Sequence, residues 1–192
     1  MENAVLKIDE PISRSRILFF NKQVDQDSIG QLSKEIIEIN NYDDYMEKLW
    51  SINDFQYKRH PIKIYIDSYG GFVYQCFGLI SIMESSKTEI ETYITGTAMS
   101  CGFMISICGH KRFCYKLSTP MYHQVSSGLF GTIKQMEDEI VEVKRLQNKL
   151  EEIVLRKTKI SQEQLKKIYK KKKDWYMTPN EALELGVVDE II

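Results

Sequence analysis

Ser100 lies in Gly96-Thr97-Ala98-Met99-Ser100-Cys101-Gly102-Phe103, where small residues run into an apolar stretch. That composition suits a strand-to-helix turn that leaves the serine hydroxyl bare, with backbone N–H groups behind it. Amides so placed stabilise an oxyanion, which is what acyl transfer asks of a nucleophile's surroundings. The hydroxyl also needs a base and an orienting acid. The histidines are His60, His110 and His123, and no Asp or Glu lies between Ser100 and His123. For a base at His110 or His123 this excludes the order Ser, acid, His of the α/β-hydrolases. The acid must then follow the imidazole, and the candidates include Asp138, Asp174 and Asp189. Asp138 falls within a charged helix and Asp189 in a terminal strand. Asp174 stands where a lysine-rich helix end gives way to Trp175-Tyr176-Met177, and a carboxylate there can reach inward. Ser100, His123 and Asp174 therefore form the economical triad. His60 with Asp67 would copy the chymotrypsin order, but His60 precedes Pro61 in a Lys/Arg-rich loop and reads as exposed.

Each of these residues also has an ordinary reading. Ser100 could cap a helix, His123 could be a satisfied core histidine, Asp174 a surface residue at a helix end, and Gly70-Gly71 a simple turn. Cys101 could be the nucleophile instead. The catalytic reading differs in requiring the whole set to meet in space.

The elements that must bring them together alternate along the chain. Residues 17–20 read as a buried strand. Residues 27–39 form an amphipathic helix with Ile29, Leu32, Ile36 and Ile37 on one side. Asn40-Asn41 is expected to break it before a second helix over 42–52. Strands are expected over 62–66, 89–94, 112–115, 122–125 and 187–192. Helices are expected over 72–84, starting on the glycines, and over 101–108, ended by Gly109. A long helix over 132–157 repeats Ile133, Met136, Ile140, Val143, Leu146, Leu150 and Ile153 at steps of three and four. Ser161-x-x-Gln164 and Thr178-Pro179-Asn180-Glu181 are capping boxes, the second with proline at the first helical position and Gly186 past the end. The βαβ rhythm predicts an α/β domain with a largely parallel sheet. At 192 residues, one domain is expected.

Composition narrows the partners. A formal net charge of −1 makes no electrostatic case for nucleic acid or an anionic membrane. Lys166, Lys167 and the run from Lys170 to Lys173 read as a solvated helix face, whose cations would favour ionised Asp174. The N-terminus is polar, with Asp9, Glu10 and Pro11, and shows no export signal. No apolar run approaches the roughly 20 residues of a spanning helix. A soluble cytoplasmic protein is expected. Cys76, Cys101, Cys108 and Cys114 fit no repeated C-x-x-C and are expected as free core thiols. Cys108-x-His110-x-x-x-Cys114 lacks an evident fourth ligand, so no metal is expected.

From about Arg16 to Ile192 the chain resembles ClpP, the serine peptidase subunit of ATP-dependent Clp proteases. The likeness rests on Arg16-Ile17-Leu18-Phe19-Phe20 through Gln23-Val24-Asp25, and on Ile64-Tyr65-Ile66-Asp67-Ser68-Tyr69-Gly70-Gly71. It continues in Ala98-Met99-Ser100-Cys101-Gly102, in Met121-Tyr122-His123-Gln124, and in Lys173-Asp174-Trp175-Tyr176-Met177-Thr178-Pro179-Asn180-Glu181-Ala182 through Gly186-Val187-Val188-Asp189. The resemblance implies a ClpP/crotonase-like α/β fold, a spiral of repeated β-β-α units with a protruding handle helix over 132–157. The single domain would span 1–192, with 1–15 as an N-terminal segment. It implies Ser100 as nucleophile, His123 as base and then acid, and Asp174 as the group that orients the imidazole. The N–H groups of Gly71 and Cys101 would form the oxyanion hole. Gly70, Gln124 and Val125 would lie along the substrate. It implies no cofactor, self-assembly into heptameric rings stacked as a tetradecamer, and a hexameric AAA+ unfoldase that consumes the ATP and feeds in unfolded protein. Short peptides would be cleaved without it.

The chain departs from the family pattern at Tyr69 and Val125, where proline is usual, and at Lys173, where arginine is common; lysine is a point charge rather than a fork. The segment from Asn40 to His60 is longer. These departures keep open a related maturation protease that acts without an ATPase. A non-proteolytic member of the ClpP/crotonase superfamily is the other alternative, and the intact Ser100, His123 and Asp174 argue against it.

Overall fold

The computed structural model describes residues 15–52, 56–128, 130–171 and 173–192. Chain order is β1 (Ile17–Phe20), α1 (Gln26–Ser51), β2 (Ile62–Ser68), α2 (Val73–Ser85), β3 (Ile90–Met99), α3 (Cys101–Ser106), β4 (Lys111–Cys114), β5 (Thr119–Tyr122), α4 (Ile133–Lys157), α5 (Gln162–Lys171), β6 (Trp175–Tyr176), α6 (Pro179–Glu184) and β7 (Glu190–Ile191). The N-terminal segment, apart from Ser15, lies outside the described residues.

Alternation decides which side of the sheet is core. Leu18 and Phe20 of β1, and Ile62, Ile64 and Ile66 of β2, are buried beneath α1 and α2. Their opposite neighbours build a stacked ladder of Phe19, Tyr65, Tyr93 and Phe113 across β1 to β4. The sheet runs β1-β2-β3-β4-β7, all parallel. This is the α/β architecture with a parallel sheet and a long helix that the sequence predicts.

β3 positions the site. Its first half pairs with β4 and its second half, Thr97 to Met99, with β5. It runs five residues past the expected end at 94. Against β2 its register slips: Ile66 faces Ile94, but Ser68 faces Ala98. Asp67 fills the irregularity, its Oδ1 accepting the Thr97 N–H at 2.8 Å and the Thr97 hydroxyl at 3.0 Å. A Cβ on Gly96 would sit 2.7 Å from that oxygen. The bulge re-aims the strand, and β3 ends on Met99 beside β5. β6 adds antiparallel to β5 and so carries the chain from Asp174 back toward His123.

Helix α1 is continuous across Asn40-Asn41, where a break was expected. Asn40 donates to the Ile36 carbonyl and the Ser86 hydroxyl, both at 2.9 Å, and accepts from the Lys87 and Thr88 N–H groups. An asparagine satisfied this way has no need of a turn. One turn on, buried Asp43 accepts from Arg16, from the Tyr57 hydroxyl at 2.7 Å and from the Thr88 hydroxyl at 2.6 Å. Arg59 joins Asp44 and Glu47. The longer segment is thus tied to the entries of β1 and β3; its residues 53–55 lie outside the described set. Burial would raise the Asp43 carboxyl, but hydrogen bonds from Arg16, Thr88 and Tyr57 outweigh it and hold the group below the usual carboxylate range. A depressed carboxylate contributes stability above its unfolded value, about 3.9, and loses it as pH falls through the folded value. Asp43→Asn is expected to cost about 3 kcal/mol at neutral pH. Thermal melts from acid to neutral pH should show the gap to wild type closing on acidification.

Two further strands differ from expectation. β5 stops at Tyr122, so residues 123–125 follow the strand rather than form it, and the Val125 N–H goes to the Gln147 side chain. β7 covers only Glu190–Ile191. The two caps read from the sequence form at Ser161 and Thr178, and a third capping box, not anticipated, forms at Thr132. Helix α4 buries only Leu146, Gln147, Leu150 and Val154, all in its second half. Ile133 and Val141 in its first half are exposed. Among the described residues no helix is long and apolar enough to cross a membrane.

Candidate active site

Ser100 closes β3 and precedes α3. Its φ of 54° and ψ of −121° make it the one non-glycine with positive φ among the described residues. Such a conformation costs about 1–3 kcal/mol and persists only where the surroundings fix it. They do so here: the Ser100 N–H donates to Met121 in β5 at 3.0 Å, and its carbonyl accepts from Met104 at 3.1 Å. Its side chain makes no cap hydrogen bond to α3. Ser100 therefore occupies the N-cap position of α3 without capping the helix through its side chain.

The Gly70-Gly71 turn seats directly on it. A Cβ on Gly70 (φ +96°) would lie 2.7 Å from the Met99 carbonyl, 2.8 Å from the Ser100 Cβ and 2.9 Å from the Cys101 nitrogen. One on Gly71 would lie 2.3 Å from the Val24 carbonyl. Only glycine fits either place. The turn is fixed from behind: Val24 N–H donates to the Gly70 carbonyl at 2.8 Å, and the Ser68 hydroxyl donates to the Lys22 carbonyl at 2.6 Å. Tyr69 is exposed. Cys101 donates its thiol to the Gly71 carbonyl at 3.3 Å and is 2% exposed. The Cys76 thiol beside it holds Cys101 below the usual thiol range, but the buried sulfur faces the glycine turn rather than solvent.

His123 follows β5 and Asp174 follows α5. His123 Nδ1 and Asp174 Oδ1 are 3.5 Å apart, with the imidazole half-buried and the carboxylate exposed. That is longer than a well-made hydrogen bond. Ser100, Gly71, Cys101, His123 and Val125 all line one small cavity of about 50 Å³. On the other side of His123 a larger cavity, about 440 Å³, opens between α4 and α5 and includes Gln124, Val125, Lys144, Lys173 and Asp174. The imidazole stands between the two. Ser100, Gly71, Cys101, His123, Gln124 and Val125 thus line one cavity, Asp174 lines the neighbouring one together with His123, and Gly70 lines neither.

The competitors are engaged elsewhere. Asp138 pairs with Lys134, and Asp189 with Arg112. His60 is exposed before β2, while Asp67 fills the β3 bulge at the strand's far end. His110 Nδ1 accepts the Ile90 N–H at 3.0 Å. All the cysteines are free and buried. Among the described residues no three His, Cys, Asp or Glu side chains are grouped to hold a metal ion.

Sequence reasoning missed Gln147. It is buried in α4 and makes hydrogen bonds on both sides of His123, to Tyr122 and to Val125. Its signal was a polar residue set into the apolar stripe, four positions after Val143 and three before Leu150.

Residues 2–192 match the family described as Clp protease. An ATP-dependent Clp protease proteolytic subunit from Deinococcus radiodurans is 33% identical over 141 residues, covering 72% of this chain and 68% of the relative. A protein of the same name from Porphyromonas gingivalis is 26% identical over 191 residues, covering 98% of this chain and 79% of the relative.

Proposed function

The chain belongs to the Clp protease family, and from that premise we propose that it is a serine endopeptidase working through Ser100, His123 and Asp174. His123 takes the Ser100 proton as Oγ attacks the peptide carbonyl. The Gly71 and Cys101 N–H groups hold the oxyanion, and Gly70 lets the turn approach. His123 returns the proton to the leaving amine, and water then releases the acyl-enzyme. Asp174 orients the imidazole. Gln124 and Val125 flank the bound peptide. The observation that carries this reading is the left-handed Ser100, its hydroxyl free of any cap, seated against Gly70 and sharing a cavity with His123.

The reading extends to the assembly. One peptidase domain per chain would form heptameric rings, stacked as a tetradecamer in the cytoplasm. The uncovered apolar residues on the first half of α4 support its role as a handle against a second copy. No cofactor is required; ATP would be used by an AAA+ unfoldase that threads protein into the chamber. The test compares substrates. A short fluorogenic peptide should be cleaved by the protein alone, and a folded protein only with the unfoldase and ATP. Light scattering should report an assembly of many subunits. An assembled protein that cleaves no peptide would overturn the reading. Peptide cleavage with no gain from the unfoldase would point to a dedicated maturation protease.

Gly70→Ala gives a further expectation. The added Cβ would push on Met99, Ser100 and Cys101 together. Loss of one oxyanion donor costs about 10²–10³-fold in kcat, and a loss of that order is expected here. Gly78→Ala, in α2 with open space around it, serves as the control and should leave the rate unchanged. Steady-state kinetics on the peptide measures both.

A further inference from the structure

Residues 123–128 follow β5 without joining a strand, so what fixes them must come from outside the sheet. Gln147, reaching from α4, supplies the attachment. Its Oε1 accepts the Val125 N–H at 2.8 Å, and its Nε2 donates to the Tyr122 hydroxyl at 3.2 Å and to Glu151 Oε1 at 2.8 Å. Both amide hydrogens and the carbonyl of this side chain are thereby used. Glu151 is held in turn by Gln162 of α5 at 3.3 Å. Tyr122 immediately precedes His123, and Val125 follows it by two residues. The two attachments bracket the imidazole.

We propose that Gln147 is a positioning residue: by gripping Tyr122 and Val125 it fixes the backbone that presents His123 to Ser100 and Gln124 to the cleft. This deepens the serine-peptidase reading and rests on it. The physical need is specific to this chain. Val125 has an N–H where proline would have none, and a half-buried donor left unpaired is costly. Tyr122, buried against Phe103, likewise has a hydroxyl that wants a partner. One glutamine on the apolar stripe of α4 answers both and links the stretch around His123 to the helix.

The test is a double-mutant cycle with an activity readout and an exchange readout. Gln147→Leu keeps the bulk and removes the amide. Orphaning the Val125 donor predicts a kcat loss of about 10-fold or more, with KM changing less and Ser100 phosphonylated correspondingly more slowly. In a Val125→Pro background the donor is gone and only the Tyr122 hydroxyl is left to orphan, so Gln147→Leu should then cost less kcat than it does in the wild-type protein. Hydrogen exchange at the Val125 amide is the second readout and needs no catalysis. It should be protected in the wild-type protein and accelerate about 10-fold or more in Gln147→Leu. Unchanged exchange in Gln147→Leu overturns the proposal, as does an equal loss of kcat with and without Val125→Pro. If wild-type hydrolysis does not depend on Ser100, the peptidase reading fails on its own, and the exchange experiment still decides whether Gln147 holds this segment.

Discussion

Ser100→Ala is expected to lower kcat on a short peptide by about 10⁴–10⁶-fold, with KM little changed. The substitution removes one oxygen from a side chain that makes no cap hydrogen bond, so the fold has little to lose. Alanine at a left-handed φ is strained no more than the serine already is. Melting temperature should therefore stay close to wild type while activity disappears. Cys101→Ala is the matched comparison. Its thiol is buried and donates to the Gly71 carbonyl, so its loss should cost about tenfold at most, the worth of one ordinary hydrogen bond. The opposite ranking, with activity surviving at Ser100→Ala and lost at Cys101→Ala, would move the chemistry to sulfur.

Asp174→Asn carries the second largest expected effect, about 10⁴-fold in kcat. The carboxylate faces His123 Nδ1 at 3.5 Å, so it can accept a hydrogen bond from Nδ1–H and leave Nε2 free for the serine. An amide presents a donor as readily as an acceptor and stabilises no imidazolium. The exposure of Asp174 keeps the structural cost small, and the melting temperature should barely move. Asp138→Asn, which disturbs only a surface pair with Lys134, should leave kcat unchanged. A loss below tenfold at Asp174→Asn would assign the orienting role elsewhere.

The proposed site is read from the sequence by order and elimination. The absence of any acid between Ser100 and His123 confines the third member to the last third of the chain. Of the three aspartates there, Asp138 and Asp189 have close cationic partners, and Asp174 faces the imidazole. Local rules also carried the helix starts at Ser161 and Thr178, since a capping box involves residues only three apart. What the sequence hid depends on distant partners. Asn40 reads as a breaker until Ser86, Lys87 and Thr88 are seen to satisfy it. β3 appears to end at Ile94, because Thr95-Gly96-Thr97 lacks apolar alternation. The strand continues because Asp67, thirty residues earlier, fills its bulge. Gln147 was visible as an interruption of an apolar stripe, but its purpose needed the Val125 N–H, twenty-two residues earlier.

Labelling with a fluorophosphonate, followed by mass spectrometry of the adduct, tests the nucleophile most directly. One adduct per chain is expected on the Ser100 hydroxyl, absent in Ser100→Ala, retained in Cys101→Ala and strongly slowed in His123→Ala. An adduct that tracks Cys101, or none at all in the assembled protein, would contradict the serine assignment.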